Sequence, residues 1–184
     1  MKTKLFILLI VVAMACSCRK VENDFKVYKI YQGNHYCNGW RLLKANNDIR
    51  FSFIFSGDCI YNESAQVCSG WNKLYGISDI NNHSNSARIG WRCVCGKIVL
   101  GWYVYVNGLC SSGYMDTIQA GQEGTGRIMY GGSDLTIQVN NKFVVLKGTQ
   151  EPTALFYQFP YFGGEETAPR DMTIYIKNFT ETIN

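Results

Sequence analysis

Five polar residues in the middle of this chain have types and spacing suited to holding a ligand: Ser86, Arg88, Arg92, Tyr103 and Tyr105. Read as strands, Ser86 to Cys93 places Ser86, Arg88, Gly90 and Arg92 on one face, and Ile98 to Val106 places Gly101, Tyr103 and Tyr105 together, opposite an apolar row. Arg88 and Arg92 offer positive charge to a ligand on this face, and Arg92 is expected to bind substrate. Gly90 and Gly101 carry no side chains beside these groups, which predicts an open track for a ligand across the sheet.

Other chemistries find less support. His35 and His83 are the only histidines, too few for a histidine zinc site or a serine triad, so no metal or cofactor is expected. The glycine-rich Gly121-Gln122-Glu123-Gly124-Thr125-Gly126 follows no clear strand and opens no helix, which reads as a turn and not as a phosphate loop.

The elements that must carry these residues are strands. From Phe25 onward, period-two alternation and β-branched or aromatic residues recur between Gly and Asn breaks, and no helical period is sustained. Expected strands are Val27–Tyr31, Ile49–Phe55, Ala87–Val94, Ile98–Val106, Arg127–Tyr130, Leu135–Val139, Phe143–Lys147, Leu155–Phe159 and Met172–Lys177. Hairpin turns are expected at Gly96-Lys97 and Asn140-Asn141. With 184 residues, 47% hydrophobic and 14% aromatic, the chain has room for one sizeable core, and the fold expected is an all-β sandwich.

Met1 to Ala15 has the form of a secretion leader: Lys2 and Lys4, the apolar run Leu5 to Met14, then small residues before Cys16. Ten apolar residues span about 15 Å as a helix against about 30 Å of bilayer hydrocarbon, too short for a lasting anchor. Small residues followed by cysteine resemble a bacterial lipoprotein signal, with Cys16 the acylated residue and Cys18 second in line. An ordinary cleaved leader is the alternative. The domains expected are the signal peptide at 1–15, a lipid-anchored tether at 16–24 and a folded domain at 25–184. The net charge of +4 falls to +2 once Lys2 and Lys4 are removed, too mild for nucleic-acid binding. Contact with a membrane is expected through the lipid only, with the protein held at the periplasmic or outer-membrane surface of a bacterial envelope and monomeric. Cys37, Cys59, Cys68, Cys93, Cys95 and Cys110 follow the tether, and in an oxidising compartment disulfides are expected among them, Cys59 with Cys68 first.

Five stretches in order complete the reading: Asn72-Lys73-Leu74-Tyr75-Gly76, then Ser86-Ala87-Arg88 with Gly90-Trp91-Arg92, then Tyr103-Val104-Tyr105, then Phe162-Gly163-Gly164 with Ala168-Pro169, then Ile174-Tyr175-Ile176-Lys177-Asn178-Phe179. Over residues 71–179 this order resembles polysaccharide lyase family 14, alginate and glucuronate lyases built on a concanavalin-like jelly roll. The resemblance implies a jelly-roll β-sandwich of two antiparallel sheets and β-elimination on a uronic-acid polysaccharide in a concave groove, with Lys73, Ser86, Arg88, Tyr103 and Tyr105 lining it. That reaction removes a proton beside a carboxylate, which requires a cation against the acid group and a base near the proton. The resemblance thus implies that Lys73 and Arg88 neutralise the acid, that Tyr103 or Tyr105 is the base, ionised with the help of adjacent cations, and that the other tyrosine returns a proton to the leaving oxygen. Lys73 is the rival base, since burial or a cationic neighbour lowers a lysine pKa, and Ser86 positions substrate. The chain differs from the family in a shorter stretch before Phe162-Gly163-Gly164 and in its cysteines. A non-catalytic glycan-binding lipoprotein using the same groove is the alternative, and a structural surface protein the third reading.

Overall fold

The computed structural model describes residues 24–39, 41–61, 70–81 and 83–179. The leader, Cys16, Cys18 and Cys68 lie outside the described residues. Among the described residues twelve strands form: β1 Lys26–Ile30, β2 Lys44–Ala45, β3 Asp48–Phe55, β4 Asn72–Ser78, β5 Ser86–Val94, β6 Lys97–Val106, β7 Leu109–Ile118, β8 Glu123–Gly131, β9 Asp134–Val139, β10 Lys142–Lys147, β11 Leu155–Gln158 and β12 Met172–Asn178. They pair antiparallel into two six-stranded sheets, in the orders β1-β12-β3-β8-β9-β10 and β2-β11-β4-β5-β6-β7. The fold is an all-β jelly-roll sandwich. Alternation explains the faces that meet: Ile49, Phe51, Phe53 and Phe55 of β3 point inward, as do Ile89 and Trp91 of β5. Phe55 meets Trp91 across the sandwich with ring centroids 5.0 Å apart, and Phe51 meets Tyr75 at 5.0 Å.

Nine of the twelve strands match those expected, and β2, β4 and β7 were not anticipated. β7 is an edge strand carrying Cys110, Ser111, Ser112 and Gly113, polar enough to read as loop. β4 is buried along its whole length, which removes the alternation that marks a half-buried strand. The first hairpin turns one residue earlier than expected. Cys95 and Gly96 are its corner, with φ of 49° and 73°, the left-handed pair that matches strand twist. A second left-handed corner, Asn107-Gly108, joins β6 to β7, and Asn140 has φ 53° at the expected turn between β9 and β10.

Two expectations are corrected here. The stretch from Gly121 to Gly126 is only partly a turn: from Glu123 it belongs to β8, where Gly124 and Gly126 pair with Phe53 and Phe51. A Cβ on Gly126 would lie 2.5 Å from the Phe51 ring, so these glycines make room for core aromatics. The disulfide framework is absent among the described cysteines, because Cys37, Cys59, Cys93, Cys95 and Cys110 are free. Cys37, Cys59 and Cys93 pack as small apolar core residues, and the Cys59 thiol donates to the Thr173 carbonyl at 3.4 Å.

Candidate functional site

The outer face of the second sheet gathers the candidate residues. β5 and β6 pair so that Arg88 lies opposite Tyr103 and Ser86 opposite Tyr105. Lys73 reaches the same face through a β-bulge between Lys73 and Tyr75, where the register slips by one residue. Without the slip, alternation would put Lys73 on the face of Tyr75, which is core. Past the bulge Gly76 lies beside Arg88, and a Cβ there would come within 2.1 Å of the Ala87 carbonyl and 2.9 Å of the Arg88 Cγ. Only glycine leaves this space for the arginine.

The chain after β11 supplies the opposing wall. It continues along β4 past Pro160 until Tyr161 exchanges two backbone hydrogen bonds with Lys73, at 2.8 and 2.9 Å. Gly163, left-handed at φ 70°, donates its N–H to Asn72 Oδ1 at 2.6 Å, and its carbonyl accepts from Lys73 Nζ at 3.1 Å. Tyr36 packs edge-on against Tyr161, with ring centroids 5.0 Å apart.

Lys73, Arg88, Tyr103 and Tyr105 thus line one cleft of about 240 Å³, completed by Tyr36, His83, Gln158, Phe159, Pro160, Tyr161, Gly163 and Gly164. The Lys73 ammonium sits 4.6 Å from the centre of the Tyr103 ring and 5.6 Å from that of Tyr161. Tyr103 Oη donates to Tyr105 Oη at 3.5 Å, and His83 meets the Tyr105 ring edge-on at 5.2 Å.

Two candidates lie elsewhere. Ser86 is fully buried beneath the cleft, and its hydroxyl accepts from Arg88 Nη2 at 3.3 Å, so it steadies the guanidinium and touches no cleft space. Arg92 lies further along β5, its guanidinium 4.7 Å from the Trp71 ring. Trp71 also corrects the expected open track. Its indole lies on the facing pair Gly90 and Gly101, where added Cβ atoms would come within 3.1 and 2.4 Å of the ring. Those glycines admit a tryptophan.

Burial sets the electrostatics. Lys73 and Arg88 are each only 7% exposed. Desolvation, reinforced by the Arg88 charge, brings the Lys73 ammonium down to about 8. Arg88 is lowered by the same cause and, as a guanidinium, remains charged. Tyr103 moves the other way: burial pushes it well above the ordinary phenol range, and hydrogen bonding with Cys110 and Tyr105 adds to the rise. The expected ionisation of Tyr103 by neighbouring cations is outweighed by desolvation, leaving a neutral phenol that can donate a proton. The lowering makes the free amine of Lys73 more accessible near neutral pH than that of an ordinary lysine.

Tyr36, His83, Gln158 and Tyr161 were not anticipated. Tyr161 directly precedes the Phe162-Gly163-Gly164 stretch, which was the available signal. Among the described residues, no three His, Cys, Asp or Glu side chains gather as a metal site.

No family model matches the sequence, and no curated protein matches it either. Solved structures do match. A polysaccharide lyase family 18 protein, aly-SJ02 r-CATD, superposes with a TM-score of 0.51 at 8% identity, covering 88% of this chain and 91% of that one. An alginate lyase from Alteromonas sp. 272 gives 0.51 at 8% identity, with 88% and 90% covered. An uncharacterized protein from Mycobacterium paratuberculosis gives 0.51 at 10% identity, with 85% and 82% covered. The likeness is one of fold.

Proposed function

We propose that the protein is a polysaccharide lyase acting on a uronic-acid-containing polymer by β-elimination in the cleft of Lys73, Arg88, Tyr103 and Tyr105. The observation that carries this reading is geometric: Lys73, Arg88, Tyr103 and Tyr105 converge on one cleft, with the Lys73 ammonium 4.6 Å from the centre of the Tyr103 ring and burial lowering that lysine to about 8. The resemblance to polysaccharide lyase family 14 supports it, as does the fold shared with proteins described as polysaccharide and alginate lyases.

The steps follow from residue chemistry. Arg88 pairs with the uronate carboxylate and stabilises the charge that spreads onto it as the neighbouring proton leaves. The free amine of Lys73 takes the proton from C5. The C5–H electrons form the C4–C5 double bond, the C4–O bond breaks, and its pair goes to the leaving sugar oxygen. Tyr103 gives that oxygen its proton, and Tyr105, accepting from Tyr103, holds the phenol in line. Proton return from Lys73 to the tyrosinate resets both groups.

Incubation with alginate and with glucuronan, following ultraviolet absorbance of the unsaturated uronate, tests the reading. A steady rise is expected; no absorbance on any uronate polymer overturns it. The hydrogen bond that already occupies Lys73, to Gly163, favours a second reading, a glycan-binding protein in which Lys73 supports the loop. Glycan binding that survives Tyr103→Phe and Tyr105→Phe with no turnover identifies that case. From the leader and Cys16 we further infer attachment by lipid to a bacterial envelope, checked by labelling with a radioactive fatty acid and its loss in Cys16→Ala.

A further inference from the structure

We propose that the lateral face between edge strands β1 and β2 seats against an anionic lipid surface, a second contact beside the lipid inferred at Cys16. These strands lie on the same side of the sandwich, each at one edge of its sheet. Asn38 ties the chain to β1, its N–H donating to the Lys29 carbonyl at 2.8 Å and its Oδ1 accepting from the Lys29 N–H at 2.6 Å. Leu43 ties it to β11, its carbonyl accepting from the Tyr157 N–H at 2.9 Å. Four cations mark the face so bounded. Lys26 and Arg41 line a crevice of about 140 Å³ between the sheets, and Lys29 and Lys44 stand at its two margins, on β1 and β2. All four are exposed, and among the described residues none of them is in an ion pair.

The nearby carboxylates are already engaged or lie apart. Asp24, in the same crevice, is held by Lys177 at 2.9 Å, and Asp171 is at the far end of β1, where it accepts from the Gln32 N–H. The opposite lateral face, at β10 and β7, is arranged the other way, with Lys142 and Lys147 paired with Asp116 and Asp134. Like charges gathered without counter-charge repel, and an anionic partner relieves that repulsion. Two observations favour a lipid surface over a soluble polyanion. Apolar side chains stand exposed among the cations: Val27 is 48% exposed, Leu42 58%, and Phe179, beside Lys177, 48%. A polyanion makes no use of them, whereas a headgroup layer takes cations and apolar side chains together. The second is the path of the chain. Asp24 lies in this face eight residues after Cys16, a stretch that reaches at most about 29 Å, so a lipid on Cys16 keeps the face within reach of the bilayer. That second point rests on the lipid inferred at Cys16; the charges and the exposed apolar groups do not.

The test is amide hydrogen exchange of the full chain on vesicles of phosphatidylglycerol and on vesicles of phosphatidylcholine. Slower exchange in residues 41–45 on phosphatidylglycerol only is expected, with residues 142–147 of the opposite face unchanged. Equal exchange on the two lipids overturns the docking face, whatever fatty-acid labelling shows at Cys16. Slowing by soluble alginate as strong as that by phosphatidylglycerol assigns the face to a polyanion and overturns the lipid reading. Sedimentation of the Cys16→Ala chain, which carries no lipid, with phosphatidylglycerol vesicles gives the strength of the contact. In that background each of Lys26→Gln, Arg41→Gln and Lys44→Gln weakens binding about fivefold, and Lys142→Gln leaves it unchanged. All four positions are exposed, so folding is little affected. Binding that is the same in all four variants overturns the proposal. Docking with no fatty acid found on the wild type keeps this face and removes the anchor, and none of these readouts depends on turnover of a glycan.

Discussion

The two sheets have the same number of strands and the same pairing sense, yet their outer faces differ in kind. In the first sheet β9 and β12 alternate between buried and half-buried positions, the pattern of a sheet with one wet side. In the second sheet β4 is buried at every position, and β5 is buried at all but Arg92 and Val94. What covers that second face is the 159–164 loop, the Trp71 ring and the aromatic residues around two desolvated cations. Burying an ammonium and a guanidinium opposes folding, and the chain does it on one sheet and not on the other, the contrast on which the proposed function rests. Arg127 on the first sheet shows the ordinary alternative: it pairs with Asp48 at 2.8 and 2.7 Å and stays partly exposed.

That contrast can be broken at named positions. The largest effect expected is from Tyr103→Phe, which removes the proton donor and lowers kcat by about 10²–10⁴ with little change in melting temperature. Next, Arg88→Met lowers kcat/KM by about 10²–10³, and its melting temperature holds or rises because a buried charge is gone. A fall in melting temperature with activity retained would make Arg88 a structural residue and erase the difference between the sheets.

Lys73 gives a pH signature. As the base, it makes activity climb with pH until about 8 and then level off, and Lys73→Met loses that limb, as a rate profile will show. Its folded pKa lies below the ordinary lysine value, so between about 8 and 10.5 the unfolded chain holds more protons and this group's contribution to stability rises with pH. Cys37, raised by burial to about 12, acts in the opposite sense above the ordinary cysteine value of about 9. Cys37 is common to both proteins and cancels in their difference, so wild-type melting temperature gains on that of Lys73→Met from about pH 8 to about 10.5, measured by parallel thermal melts.

Smaller still, Gly76→Ala forces the backbone of β4 away from Ala87 and costs about 1–3 kcal/mol in denaturant unfolding. Smallest is Thr136→Ala on the outer face of β9, expected within about 0.5 kcal/mol of wild type and without effect on activity.

Much of this architecture was legible from alternation and turn residues, and the exceptions have physical causes. β4 carries Lys73 yet shows no period, since a strand covered on both faces has no wet side to mark with polar residues. β7 was announced by Asn107-Gly108, a turn dipeptide with the left-handed preference that a hairpin needs, but its own polar residues masked it. Arg88, Tyr103 and Tyr105 were legible as a set because period two puts them on one face; Lys73 came only from the order of the motifs, and its face is set by a bulge that alternation does not announce. The proposed roles were not legible, because desolvation shifts each group's proton affinity and burial is a property of the assembled sandwich. Trp71 and Tyr161 were hidden for a related reason: each reaches the face from a segment outside the β5–β6 hairpin. Gly90 and Gly101 looked like empty floor, when each was the space left for a ring supplied from elsewhere.

The free thiols have a practical consequence. Among the described residues Cys37, Cys59 and Cys93 are free and sealed in the core, where a reagent does not reach them. The thiols that ask for care are the exposed Cys95 and Cys110, the second of which stands opposite Tyr105 and would bring any alkylating or oxidising agent to the rim of the cleft.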